Sequence, residues 1–141
     1  MLTLTQKRLV QESFAKISPI ADDAAALFYR RLFELNPSLK RMFPGNMADQ
    51  RKKLVQMLTA AVKGLDNFEH LVPVVQELGR GHAMYGVIDA HYATFGAALL
   101  WTLEKGLGSA FTPETREAWA TVYGLLATTM KDAAREARLA A

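Results

Sequence analysis

The sequence predicts an all-α domain, on three observations. Apolar residues recur at three- and four-residue intervals along nearly the whole chain. Strand-like alternation of apolar and polar residues is absent. Capping side chains set before prolines, together with several glycines, punctuate the periodic runs.

The first run, 4–17, carries Leu9, Val10, Phe14 and Ile17 on one face, and Thr3 or Thr5 can cap its start. Ser18-Pro19 is expected to open the second, 19–35, whose face holds Ala25, Tyr29, Leu32 and Phe33. Asn36-Pro37 opens a short third helix, 37–42. Gly45 precedes the fourth, 48–63, with Leu54, Leu58 and Ala61 on a face that continues to Leu65, and Gly64 near its end. The fifth, 68–82, aligns Leu71, Val75, Leu78 and His82 and is followed by Gly86. Asp89 is expected to cap the sixth, 89–106, which aligns Tyr92, Phe95, Leu99 and Leu103 and ends near Gly106 or Gly108. Thr112-Pro113 opens the last, 113–138, with Trp119, Val122, Leu126 and Met130 in register. About seven helices with such short connections must pack on one another, at mixed crossing angles, as one domain over residues 1–141.

Composition narrows the function. Half of the 141 residues are apolar and 22% are charged, as in a water-soluble globule with a real core. The net charge of +3 is small and scattered, and no aromatic residues interleave with Arg51-Lys52-Lys53, so no nucleic acid is expected as a partner. With no cysteine, disulfide frameworks, thiolate zinc sites and the attachment motif of a c-type haem are excluded. The N-terminus lacks the pattern of a secretory signal, and the longest apolar run, near Phe95–Leu103, is too short to span a bilayer. A cytoplasmic protein without a membrane segment is expected.

Three polar side chains interrupt the apolar faces: Tyr29, Gln50 and His82. Each has an ordinary reading, as a core phenol, a solvent-facing amide and a helix-end cap. No serine or aspartate is placed to orient His82 for hydrolysis, and His70, His82 and His91 lack the spacing of a helical zinc pair. One arrangement uses all three groups together. A neutral imidazole holds iron from one side, while a phenol and an amide donate hydrogen bonds to a ligand on the other, inside a pocket for a flat apolar ring.

At these residues the chain resembles the globins, over nearly its whole length. It is most similar to bacterial single-domain globins of the Hell's Gate type, with flavohaemoglobins and neuroglobin next. FYRRLFELNPSLKRMF (28–43) resembles the second and third globin helices and the corner phenylalanine. DQRKKLVQML (49–58) resembles the distal helix, LGRGHAMYGVIDAHY (78–92) the proximal histidine with its turn, and GLGSAFTPETREAWATVYG (106–124) the opening of the last helix. The resemblance implies haem b, with His82 as proximal iron ligand, Phe43 packed against the ring, and Tyr29 and Gln50 as the distal pair. Leu54 would restrict ligand access, Leu78, Val87, Tyr92, Phe95 and Leu99 would line the ring, and Lys53 would reach a propionate.

Two departures accompany it. Gln50 stands where most animal globins have a distal histidine. The glutamate with which flavohaemoglobins back their proximal histidine falls on Ala134, with Asp132 and Glu136 nearby, although Tyr92 matches the tyrosine of that arrangement. The implied function is reversible binding of O2, and of NO and CO, by a monomer or weak homodimer. An alternative is a nitric oxide dioxygenase. With no flavin or nicotinamide domain in the sequence, it would depend on a separate reductase. A gas or redox sensor is a third reading.

Overall fold

In a computed structural model, residues 2–140 are described. Six α-helices account for most of them: α1 (Leu4–Ile17), α2 (Ala21–Leu35), α3 (Met47–Gly64), α4 (Phe68–Met84), α5 (Asp89–Leu107) and α6 (Pro113–Ala140). Short 3-10 segments join all of them but α4 and α5, which a turn connects, and the longest, Pro37–Met42, is the short third helix of the sequence reading. No strand occurs among the described residues, and none of their helices is long and apolar enough to cross a membrane.

The caps explain where the helices begin. Thr3, not Thr5, starts α1: its hydroxyl accepts from the Gln6 N–H, and the Gln6 side chain accepts from the Thr3 N–H in return. Asn36 and Asn46 each accept from the backbone N–H two residues on, at 3.1 and 2.7 Å. Thr112 accepts from the Thr115 N–H at 3.2 Å and so opens α6.

Two expected caps do not form. Ser18 has helical dihedrals, and its own N–H bonds back to the Phe14 carbonyl, so it continues the chain out of α1 through a 3-10 turn. Asp89 is already the first residue of α5, and the extended residue before it is Ile88. The Ile88 N–H is satisfied instead by His91 Nδ1 at 3.1 Å. Asp89 still places its charge at the favourable end of the helix dipole.

The packing is helix on helix. α4 lies along α6, α2 along α5, and α1 against α6, while α3 meets α2 and α4. Val10, Leu32 and Leu39 are the largest fully buried side chains. Gly79 makes the α4–α6 contact possible, because a methyl there would land on the Met130 backbone. The buried Ser13 hydroxyl is paired twice: it bonds the Leu9 carbonyl at 2.6 Å and accepts the Trp119 indole N–H at 2.8 Å, tying α1 to α6.

Candidate haem site

The helices enclose a cavity of about 480 Å³. Tyr29, Phe43, Gln50, Lys53, Leu54, Leu78, His82, Val87, Tyr92, Phe95 and Leu99 all stand on its walls. The sequence names these residues on separate stretches; the fold brings them to one space. A second, much smaller apolar cavity of about 30 Å³ adjoins it between α1, α2, α3 and α5, sharing Phe28, Leu54, Leu58, Leu99 and Trp119.

His82 is set by the end of its helix. The Val87 N–H bonds the His82 carbonyl at 3.0 Å, and the Gly86 N–H bonds the Ala83 carbonyl at 3.0 Å. This nested pair terminates α4 and needs the left-handed backbone that Gly86 supplies at φ +90. The turn leaves the half-buried imidazole on the cavity wall and brings Val87 beside it. Burial holds the imidazole below its usual pKa of 6.5, so it is neutral near pH 7 with a lone pair to give. Its Nδ1 lies 3.5 Å from the Tyr92 hydroxyl. Burial raises the Tyr92 pKa, and the charge of Asp89 one turn earlier raises it further.

On the opposing wall, Tyr29 is 7% exposed in α2. Its ring packs edge-on to Phe28 and Phe43, with centroids 5.1 and 5.2 Å apart. Burial pushes its pKa up to about 12, which keeps the hydroxyl a donor at any physiological pH. The hydroxyl points to the backbone carbonyl of Gln50 at 3.3 Å. Gln50 is half-buried near the start of α3, and its amide nitrogen lies 3.5 Å from the Pro44 carbonyl. Both polar side chains therefore rest on backbone carbonyls. Phe43 stacks with Phe33 as well, at 5.8 Å, at the corner that Gly45 turns.

The remaining residues divide by exposure. Leu99 and Tyr92 are buried, whereas Leu54, Leu78, Val87 and Phe95 are half-buried with a face on the cavity. Lys53, Pro44 and Tyr85 line the cavity yet are exposed, so they mark its mouth. His91 caps α5 and stacks on Phe95 at 6.4 Å, and the exposed His70 bonds Asn67 at 2.9 Å. Ala134 is buried, while Asp132 and Glu136 are exposed, and Asp132 pairs with Arg135 at 3.7 Å.

Sequence reasoning missed several wall residues. Met57, Tyr85 and Tyr123 carried no signal of their own, because each sits just beside an apolar stripe that was read for its other members. Trp119, Val122, Leu126 and Met130 were read as a helical core face, and that face is also a wall of the cavity.

The globin family model matches residues 26–130. The chain belongs to the globin family. It is 31% identical to a flavohemoprotein of Chromobacterium violaceum, over 92% of this chain and 33% of that protein. It is 29% identical to neuroglobin-1 of Oncorhynchus mykiss, over 92% of this chain and 90% of that one. Among solved structures it is similar to a bacterial globin from Campylobacter jejuni, at a TM-score of 0.84 and 26% identity, covering 96% of this chain and 99% of that chain. The globin therefore spans 26% to 33% of the length of the curated flavohemoproteins it matches.

Proposed function

We propose that this globin holds haem b through His82 and reversibly binds O2, with NO and CO as further ligands, stabilised by Tyr29 and Gln50. The observation that carries the reading is the neutral imidazole of His82 on the wall of a large cavity whose other polar groups include a phenol and an amide. The donor set fits haem. The cavity volume lies within the about 300–1,000 Å³ of cofactor pockets. Aliphatic and aromatic side chains form most of its wall, as a flat apolar ring requires. Lys53 at the mouth suits a propionate. When bound, haem supplies an iron that takes a diatomic gas.

The chain's own residues do the rest. His82 presents Nε2 to the cavity when Nδ1 carries the proton and donates to the Tyr92 hydroxyl. Phe43 and Leu99, both on the cavity wall, would exclude water from around the ring. Tyr29 gives up the Gln50 carbonyl to donate to the ligand, and the Gln50 amide turns from Pro44 to do the same. Leu54, beside them, narrows the space for anything larger than a diatomic molecule.

The test is the visible absorption spectrum of the haem-reconstituted protein, reduced under nitrogen and then given O2. A five-coordinate ferrous spectrum that converts to a persistent oxygenated one is expected. Failure of the protein to retain haem, or retention unaffected by His82→Ala, refutes the reading.

A second reading is a nitric oxide dioxygenase fed by a separate reductase, in which O2, NO and one electron yield nitrate. The similarity to flavohemoproteins favours it, as do two donor side chains on the cavity wall. Sustained NO consumption with a flavin-containing, nicotinamide-dependent reductase supports this reading. A single turnover that then stops despite reductase and nicotinamide refutes it. A monomeric or weakly dimeric cytoplasmic protein accords with both.

A further inference from the structure

The net charge of the chain is small, but it is not scattered. Residues 40–53 carry five basic side chains and one acidic, a net of +4, whereas the whole chain carries +3. The positive surplus therefore lies in the segment that runs from the end of the short third helix into α3. Arg51 is committed to Asp22 at 3.1 Å. Lys40, Arg41, Lys52 and Lys53 are exposed, and none of the four is paired with a carboxylate among the described residues. The same segment gives Met42, Phe43, Pro44 and Lys53 to the cavity wall, so its charge reaches the mouth.

The other side of the mouth is apolar. The turn between α4 and α5 places Tyr85 there, 71% exposed, between Met84 at 88% and Ile88 at 58%. Asp49 and Asp89 are the acidic side chains of the two segments, and Asp89 lies at the favourable end of the α5 dipole. Large apolar side chains grouped on one turn and flanked by free cations have the anatomy of an interface, with an apolar centre and a polar rim.

We propose that this mouth docks an acidic electron-transfer flavoprotein: Lys40, Arg41 and Lys52 steer the partner's carboxylates, and Met84, Tyr85 and Ile88 form the dry centre of the contact. The proposal rests on the cavity holding haem, because only then is an electron wanted there. The transfer is of one electron: the partner's reduced flavin loses it, ferric iron gains it to become ferrous, and no atom moves. Charge complementarity selects the partner. A field concentrated in one segment draws an acidic face and turns it toward the mouth, while the rest of the chain, left with −1, offers it nothing.

The probe is flavodoxin, a small acidic flavoprotein. Binding to the ferrous CO form is read from amide ¹⁵N–¹H shifts, and reduction of the ferric form by reduced flavodoxin from stopped-flow absorbance. Saturable shifts centred on residues 40–53 and 84–88 are expected. Lys40→Glu/Arg41→Glu/Lys52→Glu should slow association by about tenfold or more at low salt. The difference should vanish at about 1 M salt, where charges are screened within about 3 Å. Arg8→Glu/Arg116→Glu/Arg138→Glu, exposed on α1 and α6, reaches the same net charge and should slow it far less. Met84→Ser/Ile88→Ser should act on dissociation, raising it about tenfold. All three variants should bind CO as the wild type does. No saturable shifts, equal slowing by the two charge-reversed triples, or unchanged dissociation from Met84→Ser/Ile88→Ser each overturns the proposal. Co-sedimentation with phosphatidylglycerol vesicles in place of flavodoxin binding assigns the patch to a membrane surface and overturns it too. If the chain retains no haem, the haem reading fails instead, and the same shifts in the apoprotein decide the docking surface.

Discussion

Replacing Tyr29 with phenylalanine removes one hydroxyl and keeps the ring that packs on Phe28 and Phe43. In the ligand-free protein that hydroxyl donates to the Gln50 carbonyl at 3.3 Å, longer than a good O–H···O bond. The bond is therefore at the low end of the net range, about 0.5 kcal/mol. A bond to a ligand that carries partial negative charge belongs to the charge-assisted range, about 1.5–3 kcal/mol. In the proposed reading oxygen binding trades the first for the second, so the hydroxyl would be worth about 1–2.5 kcal/mol to the bound state, or about 5- to 60-fold in affinity. Burial holds the phenol protonated up to about pH 12, so the effect should not vary between pH 6 and 9. Tyr29→Phe should speed O2 release by a factor in that range, measured by stopped-flow displacement with CO. The apoprotein should melt nearly unchanged, because the Gln50 carbonyl belongs to α3 and has its helical partner. An unchanged release rate would refute the reasoning, since it would mean that the hydroxyl stays on the Gln50 carbonyl and never turns to the ligand.

Three further outcomes follow from the same structure. Burial lowers the His82 pKa from 6.5, so the unfolded chain takes up its proton first as pH falls. The apoprotein should keep full stability above pH 6.5 and lose it from there down to the folded-state pKa, and in thermal melts His82→Gln should lose less over that window. Ser13→Ala leaves the buried Trp119 N–H without its acceptor and should cost about 1–3 kcal/mol in urea unfolding, with much of the loss recovered by Trp119→Phe in the same chain. Gly79→Ala forces a methyl onto the Met130 backbone, which cannot yield as a side chain would. Overpacking of about 1–3 kcal/mol should outweigh the gain in helix propensity of about 1 kcal/mol, seen as a lower urea midpoint.

The helices were legible because burial imposes a 3.6-residue period on each one separately, and that period is local. Helix ends were less legible. Ser18-Pro19 has the composition of a cap, yet Ser18 keeps helical dihedrals, and the chain leaves them only at Ile20, just before α2. At Asp89 the sequence offered a good capping side chain, but the turn after Gly86 places Ile88 in the extended position, and His91 takes over its N–H. The walls of the site were legible where a polar residue broke an apolar stripe, as at Tyr29 and His82. Side-chain direction was not: nothing in the spacing says that Tyr29 rests on the Gln50 backbone or that the Gln50 amide folds toward Pro44. Nor does the close fit of the Tyr123 ring on Gly96 leave a periodic trace, because it depends on how α5 lies across α6.

The proximal side bears on which chemistry the proposed haem would support. A carboxylate that accepts the Nδ1 proton makes an imidazole strongly electron-donating, because charge-assisted hydrogen bonds are roughly twice as strong as neutral ones. Here Ala134 of the last helix is buried, and Asp132 and Glu136 face solvent. The group that His82 Nδ1 meets is the phenol of Tyr92, which would accept from it in the Nδ1–H tautomer. Burial raises the pKa of that phenol and Asp89 raises it further, so it stays neutral. A neutral partner would leave a ligating imidazole a moderate donor. In the proposed reading, a moderate donor weighs toward holding and releasing a diatomic gas and against breaking an O–O bond, and it would leave Tyr29 and Gln50 as the main control over how long the gas stays.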